Sequence, residues 1–98
     1  MFLKIHKSYR NVVAVCDSDL IGKRFEQGDF QLDVRENFYK GEELDEEEII
    51  KIMRHQAQED ATFNIIGKES VEAAIKAEII SPESASTIQG IPFALVLI

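Results

Sequence analysis

The segment Phe2–His6 alternates apolar and polar positions, with Leu3 and Ile5 on the apolar phase. A period of two places successive side chains on opposite faces of a strand, so we predict a strand with one buried face. The next apolar segment, Val12–Cys16, has no polar position and is rich in β-branched residues. Such a strand is typically covered on both faces, which predicts an inner position in a sheet.

Further strands are predicted in the middle and at the end of the sequence. Two short strands flank Gln27-Gly28-Asp29, where Gly28 suits a turn position with positive φ. Residues 93–98 are apolar throughout. We expect this last strand either to lie inside the sheet or to be buried by a partner.

The strongest helix signal begins at Asp45. Glu48 follows three residues later, as in a capping box. Ile49, Ile52 and Met53 then recur at helical spacing, which predicts a helix with one face packed on a core.

A second helix is predicted over residues 68–78, with Gly67 at its N-cap position. Together these elements predict an α+β fold, in which a small, mostly antiparallel sheet of about four to six strands carries two main helices on one face. A chain of 98 residues suits one hydrophobic core, so we expect residues 1–98 to form a single domain.

Charge is unevenly distributed along the chain, which has 11 basic and 18 acidic residues and a formal charge of −7. Residues 35–60 hold nine acidic and four basic residues, whereas residues 1–34 hold five of each. Nonspecific nucleic-acid affinity comes mainly from basic side chains, so we expect direct nucleic-acid binding to be weak or local at most. We expect no membrane association, because acidic proteins are repelled by anionic lipids and the sequence has no run of about 20 apolar residues.

Cys16 is the one cysteine, which excludes an intrachain disulfide and suits a reducing cytoplasm. The neighbouring Asp17 and Asp19 would raise the pKa of its thiol, so the pattern indicates a small buried hydrophobe rather than a nucleophile. His6 and His55 do not stand at a metal-ligand spacing. We therefore predict no catalytic residues, no metal and no cofactor.

Two glycine-containing segments keep a ligand-binding alternative open. Asp17, Asp19, Gly22 and Lys23 directly follow a predicted strand, so a small enzyme or ligand-binding protein with its site at this turn is one hypothesis. Residues 67–70, at the start of the second helix, could bind an anion through free amides, although they lack the glycine spacing of a phosphate loop.

The exposed surface carries the main hypothesis. Residues 37–41 are predicted to form a loop with Tyr39 exposed. The candidate binding surface consists of Lys23, Arg24, Tyr39, Lys40, Glu42 and Glu43.

Three stretches, taken in order, resemble a small archaeal family catalogued as domain of unknown function 424. They are Val13-Ala-Val-Cys-Asp17 with Gly22-Lys23, Phe38-Tyr39-Lys40-Gly41-Glu42, and Asn64-Ile-Ile-Gly67 with Gly90-Ile-Pro92. The resemblance implies an archaeal cytoplasmic α+β protein associated with translation or RNA metabolism. Phe93 stands where that family has His after Gly-x-Pro, so we expect no active site beside Pro92.

From these patterns we expect a non-catalytic binding module that docks a protein or ribonucleoprotein partner. The ligand site at the turn formed by residues 17–23 remains the alternative. A homodimer closed by the apolar C-terminal strand also remains open.

Overall fold

The computed structural model of the chain describes residues 1–97, in which strands and helices are interspersed along the sequence. The strands are β1 (Phe2–His6), β2 (Val12–Cys16), β3 (Arg24–Gln27), β4 (Phe30–Asp33), β5 (Glu42–Glu43), β6 (Thr62–Ile66), β7 (Ser86–Ile88) and β8 (Ile91–Val96). The α-helices are α1 (Glu36–Tyr39), α2 (Glu46–Gln58) and α3 (Lys68–Lys76), and short 3-10 turns occupy Ser18–Leu20 and Pro82–Ser84. The predicted α+β class is confirmed.

Six of the strands form one sheet in the order β5-β1-β2-β6-β8-β7, and β3 and β4 form a separate hairpin. The pairing of β2 with β6 is parallel, and the other pairings are antiparallel. The predicted inner position of β2 is therefore confirmed, because it lies between β1 and β6. The predicted inner position of the C-terminal strand is confirmed only at Phe93, because β7 lies beside β8 from Ile91 to Phe93 and not beyond. Of the predicted strand over residues 93–98, Ile98 lies outside the described residues.

The two main helices cover one face of this sheet, here called the helical face, as predicted. Ile49 and Met53 of α2 and Val71 of α3 pack there against Val13 and Val15 of β2. The opposite face, here called the hairpin face, is covered by the segment from the first 3-10 turn to α1. Its buried residues are Ala14, Cys16, Leu20, Val34, Tyr39 and Ile66. The covering of both faces explains why β2 has no polar position.

Helix α2 begins as its sequence predicts. Asp45 Oδ1 accepts a hydrogen bond from Glu48 N at 2.9 Å, and Glu48 Oε1 accepts one from Asp45 N at 3.5 Å, which together form the capping box. Lys76 Nζ, in the last turn of α3, lies 2.8 Å from Glu46 Oε1 in the first turn of α2. In the described part of the chain, no helix is long and apolar enough to cross a membrane.

Helix α3 is shorter than the predicted 68–78. It ends at Lys76, and Glu78 adopts a φ of +63°, which a right-handed helix does not allow.

The predicted loop at residues 37–41 is also wrong in part, because Glu36–Tyr39 is the short helix α1. Two contacts with β1 hold this helix in place. Lys4 Nζ donates to Asn37 O at 2.7 Å, and His6 Nε2 lies 2.8 Å from Phe38 O. The His6 and Phe38 rings also stack, with centroids 4.4 Å apart. A four-residue helix has little stability of its own, so these tertiary contacts account for it.

The chain passes from α1 to β5 through Gly41, which touches the backbone of β1. A Cβ atom at this position would lie 2.1 Å from Leu3 O and 2.9 Å from Lys4 Cα. The atoms in the way are backbone atoms of a paired strand, so the position requires glycine.

We predict that Gly41→Ala lowers the free energy of unfolding by about 2–3 kcal/mol, because the new methyl group must displace the backbone of β1. Urea unfolding monitored by circular dichroism measures this change. Glu42→Ala, at the next and exposed position, is the control and should stay within about 0.5 kcal/mol of the unmodified chain. Equal stability of the two variants would contradict the close approach at Gly41.

Candidate functional site

The Asp17 carboxylate caps the N-terminus of α3 from a distant part of the sequence. Its Oδ1 accepts hydrogen bonds from Ser70 N and Ser70 Oγ, both at 2.8 Å, and its Oδ2 accepts one from Glu69 N at 3.1 Å. The side chain is buried, with 7% of Asp17 exposed. A carboxylate here satisfies amides that lack helical partners and lies at the positive end of the helix dipole.

Gly67 makes room for this cap. Its φ is +112°, and a Cβ atom would lie 2.3 Å from Asp17 Cγ. The amides of Glu69 and Ser70 therefore meet the chain's own carboxylate rather than solvent. The anion site that the sequence suggested over residues 67–70 is filled by Asp17, which leaves these two amides with no capacity for an external anion.

The other residues of the predicted ligand turn do not converge with Asp17. Asp19, Gly22 and Lys23 are exposed. Gly22 N donates to Val34 O at 2.7 Å, and Val34 N donates to Lys23 O at 2.9 Å, so backbone bonds join the turn to the end of the β3–β4 hairpin. The Asp17 carboxylate instead points into α3.

Cys16 is completely buried on the hairpin face of β2. Burial, followed by the charge of Asp17, raises the pKa of its thiol to about 12, and Asp19 adds to the shift. The thiol is thus protonated and enclosed, as the sequence indicated. Among residues 1–97, no three His, Cys, Asp or Glu side chains are grouped so that they could hold a metal ion.

Most of the predicted binding surface is exposed, but it is divided between two elements. Lys23 and Arg24 lie at the start of β3, whereas Lys40, Glu42 and Glu43 lie at and beside the edge strand β5. The parts approach each other through the first 3-10 turn, where Ser18 Oγ donates to Glu43 Oε2 at 2.6 Å. Exposed ion pairs join Arg24 to Glu26 at 3.0 Å and Lys40 to Glu36 at 3.3 Å, and such pairs break easily for a partner.

Tyr39 is the exception on this predicted surface. Only 7% of it is exposed, so its predicted exposure is wrong. Its ring packs on the hairpin face, where burial and the nearby Cys16 raise the pKa of its hydroxyl to about 12. The exposed aromatic residue in this part of the chain is Phe30, at the tip of the β3–β4 hairpin, with 73% exposure.

A different surface lies at the C-terminal half of β8. The sequence reasoning considered this strand only as an inner strand or a homodimer contact and named none of its residues in the candidate binding surface. Strand β7 begins at Ser86, which pairs with Phe93 of β8. The pairing of β8 with β6, by contrast, extends to Val96. From residue 94 onward, the outer edge of β8 therefore has no strand partner among the described residues. Leu95 and Leu97 are 58% and 70% exposed there.

A groove runs along this open edge. It has a volume of about 550 Å³ and lies between β8 and the segment that links α3 to β7. Its apolar walls are Ile75, Ile79, Ile80, Pro82 and residues 94–97, and its polar lining is Glu78, Ser81 and Ser84. The sequence signal that could have revealed it is the lack of polar alternation over residues 93–98, which indicated either an inner strand or burial by a partner.

Comparison with known proteins identifies related chains but no activity. The family model described as "Protein of unknown function (DUF424)" matches residues 6–98. A solved structure, the crystal structure of an uncharacterized conserved protein from Methanopyrus kandleri, is similar with a TM-score of 0.88 and 24% sequence identity, and the match covers 97% of this chain and 88% of that chain. This likeness shows a shared fold. No curated protein matches the chain.

We predict that Asp17→Ala lowers the free energy of unfolding by about 2–4 kcal/mol, because it leaves the buried donors of Ser70 and the partly buried amide of Glu69 without an acceptor. Asp17→Asn keeps one acceptor oxygen and should cost less. Asp19→Ala removes a nearby exposed carboxylate and should stay within about 0.5 kcal/mol of the unmodified chain. Chemical unfolding measures all three, and an equal effect of Asp17→Ala and Asp19→Ala would contradict the cap.

The buried thiol predicts a loss of stability at high pH. Its pKa is about 12 in the native chain and near the ordinary 9.0 after unfolding. The unfolded chain therefore releases this proton first. The stabilisation is complete below pH 9 and is lost as the pH rises from 9 towards 12, with a slope approaching about 1.4 kcal/mol per pH unit.

Urea unfolding between pH 7 and pH 10 tests this slope. In Cys16→Ala, the free energy of unfolding should fall less steeply above pH 9, because the contribution of the thiol is absent. This difference in slope does not depend on how stable the variant is at pH 7. Tyr39 contributes only above its ordinary value of 10.0. Parallel profiles for the two chains would show that Cys16 ionises freely in the folded protein.

Proposed function

The chain belongs to the DUF424 family, for which no activity is described, and on that premise we propose that it is a non-catalytic binding module that docks a protein partner, either free or within a ribonucleoprotein. The observation that carries this proposal is the exposure of Leu95 and Leu97 on the hairpin face of the sheet. Covering one exposed leucine contributes roughly 1.5–3 kcal/mol. Two adjacent leucines beside an apolar groove therefore favour a protein ligand.

The placement of the ionisable groups also supports binding rather than catalysis. Asp17 is engaged as a helix cap, and His6 holds α1 on β1. Cys16 is buried with a raised pKa. An active site needs several such groups aimed at one reacting atom, whereas these three serve separate contacts. We place the module in the cytoplasm, because a lone reduced thiol suits that compartment.

The charged surface provides a second area of contact. Lys23, Arg24, Lys40, Glu42 and Glu43 are exposed at one edge of the sheet and on the hairpin. The chain's net charge of −7 does not favour direct binding to the phosphates of a nucleic acid. If the partner is a ribonucleoprotein, we therefore expect the chain to bind the protein component rather than the RNA.

We expect affinity purification of the tagged chain from its native host, at low salt, to recover a specific protein partner. Leu95→Ser combined with Leu97→Ser should reduce that recovery at least about tenfold, because the apolar contact is lost while the fold is kept. Recovery is measured by quantitative mass spectrometry, with and without ribonuclease. Persistence after ribonuclease indicates direct contact with protein.

Phe30→Ser is the matched control, since it removes another exposed apolar side chain from a separate place, the hairpin tip. It should leave recovery unchanged. Charge reversal at Lys23 and Arg24 should reduce recovery more at low salt than at high salt. The proposal fails if the unmodified chain recovers no specific partner, or if neither the leucine nor the charge variants change what is recovered.

A further inference from the structure

We propose that the open edge of β8 binds an extended, cationic segment of a partner protein as an additional β-strand. This inference rests on the proposed function and specifies its surface and the chemistry of its ligand. It follows from three features of the edge: the direction of its peptide groups, the shape of the groove beside it, and the charge around it.

The backbone N–H and C=O groups of Leu95 point outward from the sheet. Pro92 O accepts a hydrogen bond from Gly67 N at 2.8 Å, so the carbonyl group of Pro92 faces β6. In an antiparallel strand, the N–H and C=O of one residue point to the same side, and those of the next residue point to the opposite side. The N–H and C=O groups of Ala94 and Val96 therefore face β6, and those of Leu95 face the side that β7 leaves open after Phe93. Leu97 directly follows the end of β8. Leu95 therefore offers one donor and one acceptor to an added strand.

The groove accommodates such a strand. Neighbouring strands lie about 4.8 Å apart, which places an added strand in the 550 Å³ space between β8 and the segment that contains Ile79, Ile80 and Pro82. On the hairpin face its side chains would meet Leu95 and Leu97, and on the helical face they would meet both the isoleucines and Glu78. The methylene groups of a Lys side chain can pack on isoleucine while its ammonium group reaches a carboxylate. The four residues 94–97 span about 14 Å, which is enough to pair with four or five residues of an extended peptide.

The charge of the region favours a cationic ligand. Glu78 is the one charged residue among the described residues that line the groove. The basic residues nearest to it in the fold are already engaged, because Lys76 Nζ lies 2.8 Å from Glu46 Oε1 and Arg54 Nη2 donates to Lys76 O at 3.1 Å. The whole chain carries −7. A peptide with Lys or Arg on the side that faces Glu78 and apolar residues on the side that faces Leu95 would match both faces of the edge.

A second copy of the chain is a poorer occupant. It would bring a second net charge of −7 to an edge that already carries Glu78. Symmetric pairing over four residues is also short for an interface that needs roughly 1,200 Å² or more of buried surface. We therefore commit to a heterologous cationic segment, and a dimer is an outcome of the test.

The probe is a fluorescein-labelled peptide of about nine residues that alternates Lys and Val, titrated with the full-length chain and followed by fluorescence anisotropy. Nitrogen-15 NMR should show the largest shift changes at the amides of Leu95 and Leu97. A Glu-Val peptide of the same pattern controls for charge and should bind at least about tenfold more weakly. Two N-methylated forms, one at every Val and one at every Lys, control for strand pairing. Only one should still bind, because only alternate N–H groups face β8.

Two pairs of variants test the edge itself. Leu95→Pro removes an outward N–H without removing a bond to β6, and should weaken binding at least about tenfold, whereas Leu95→Thr keeps the N–H and should weaken it less. Glu78→Lys should weaken binding roughly threefold to tenfold. Glu36→Lys makes the same change of charge on α1, which packs on β1 and β2 rather than on β8, and should have a much smaller effect.

The inference is overturned if the Lys-Val peptide does not bind, if both N-methylated forms bind equally well, or if Glu78→Lys and Glu36→Lys have equal effects. A Leu95-dependent dimer in native mass spectrometry would overturn it in favour of a second copy. None of these results contradicts the proposed function, provided that the unmodified chain still recovers a partner protein from its host. Loss of that recovery, by contrast, removes both proposals.

Discussion

The hydrogen bonds between the Asp17 carboxylate and the first turn of α3 join the two halves of the fold. Asp17 follows β2, and α3 follows β6, so the cap locks the ends of the two strands that form the parallel pair of the sheet. Gly67 is required beside it, because any side chain would occupy the space of the carboxylate. The position of α3, and hence of the groove between the α3–β7 link and β8, depends on this contact.

The same contact makes the amides of Glu69 and Ser70 at the start of α3 unavailable to an external anion. A strand followed by a glycine and a helix N-terminus is an arrangement that binds phosphate in other proteins. Here the buried carboxylate occupies two of the amides that would do so. The chemistry available at the surface is therefore that of exposed leucines, open peptide groups and scattered charges, which suits association with another macromolecule.

The candidate site was predictable only in part, for a reason visible in Tyr39 and Phe30. Both stand in segments of similar local character, yet 7% of Tyr39 and 73% of Phe30 is exposed. Their exposure depends on which of them reaches the hairpin face of the sheet, and local pattern does not contain that information. The charged residues Lys23, Lys40 and Glu43 were predictable as exposed because burying a charge is costly. Their division between two elements was not predictable.

The sequence by itself determined β1, β2, the β3–β4 hairpin, the start of α2 and the burial of Cys16, because each depends on residues within a few positions of one another. Strands β5, β6 and β7 were not predicted from the sequence. Capping of α2 involves Asp45 and Glu48 alone, and the apolar run of β2 indicates burial on both faces. Only the tertiary structure decided the role of Asp17, whose partners lie 52 and 53 residues away. It likewise decided that β7 stops opposite Phe93 and leaves Leu95 and Leu97 open, because strand pairing is set by how distant segments meet rather than by the residues of either one.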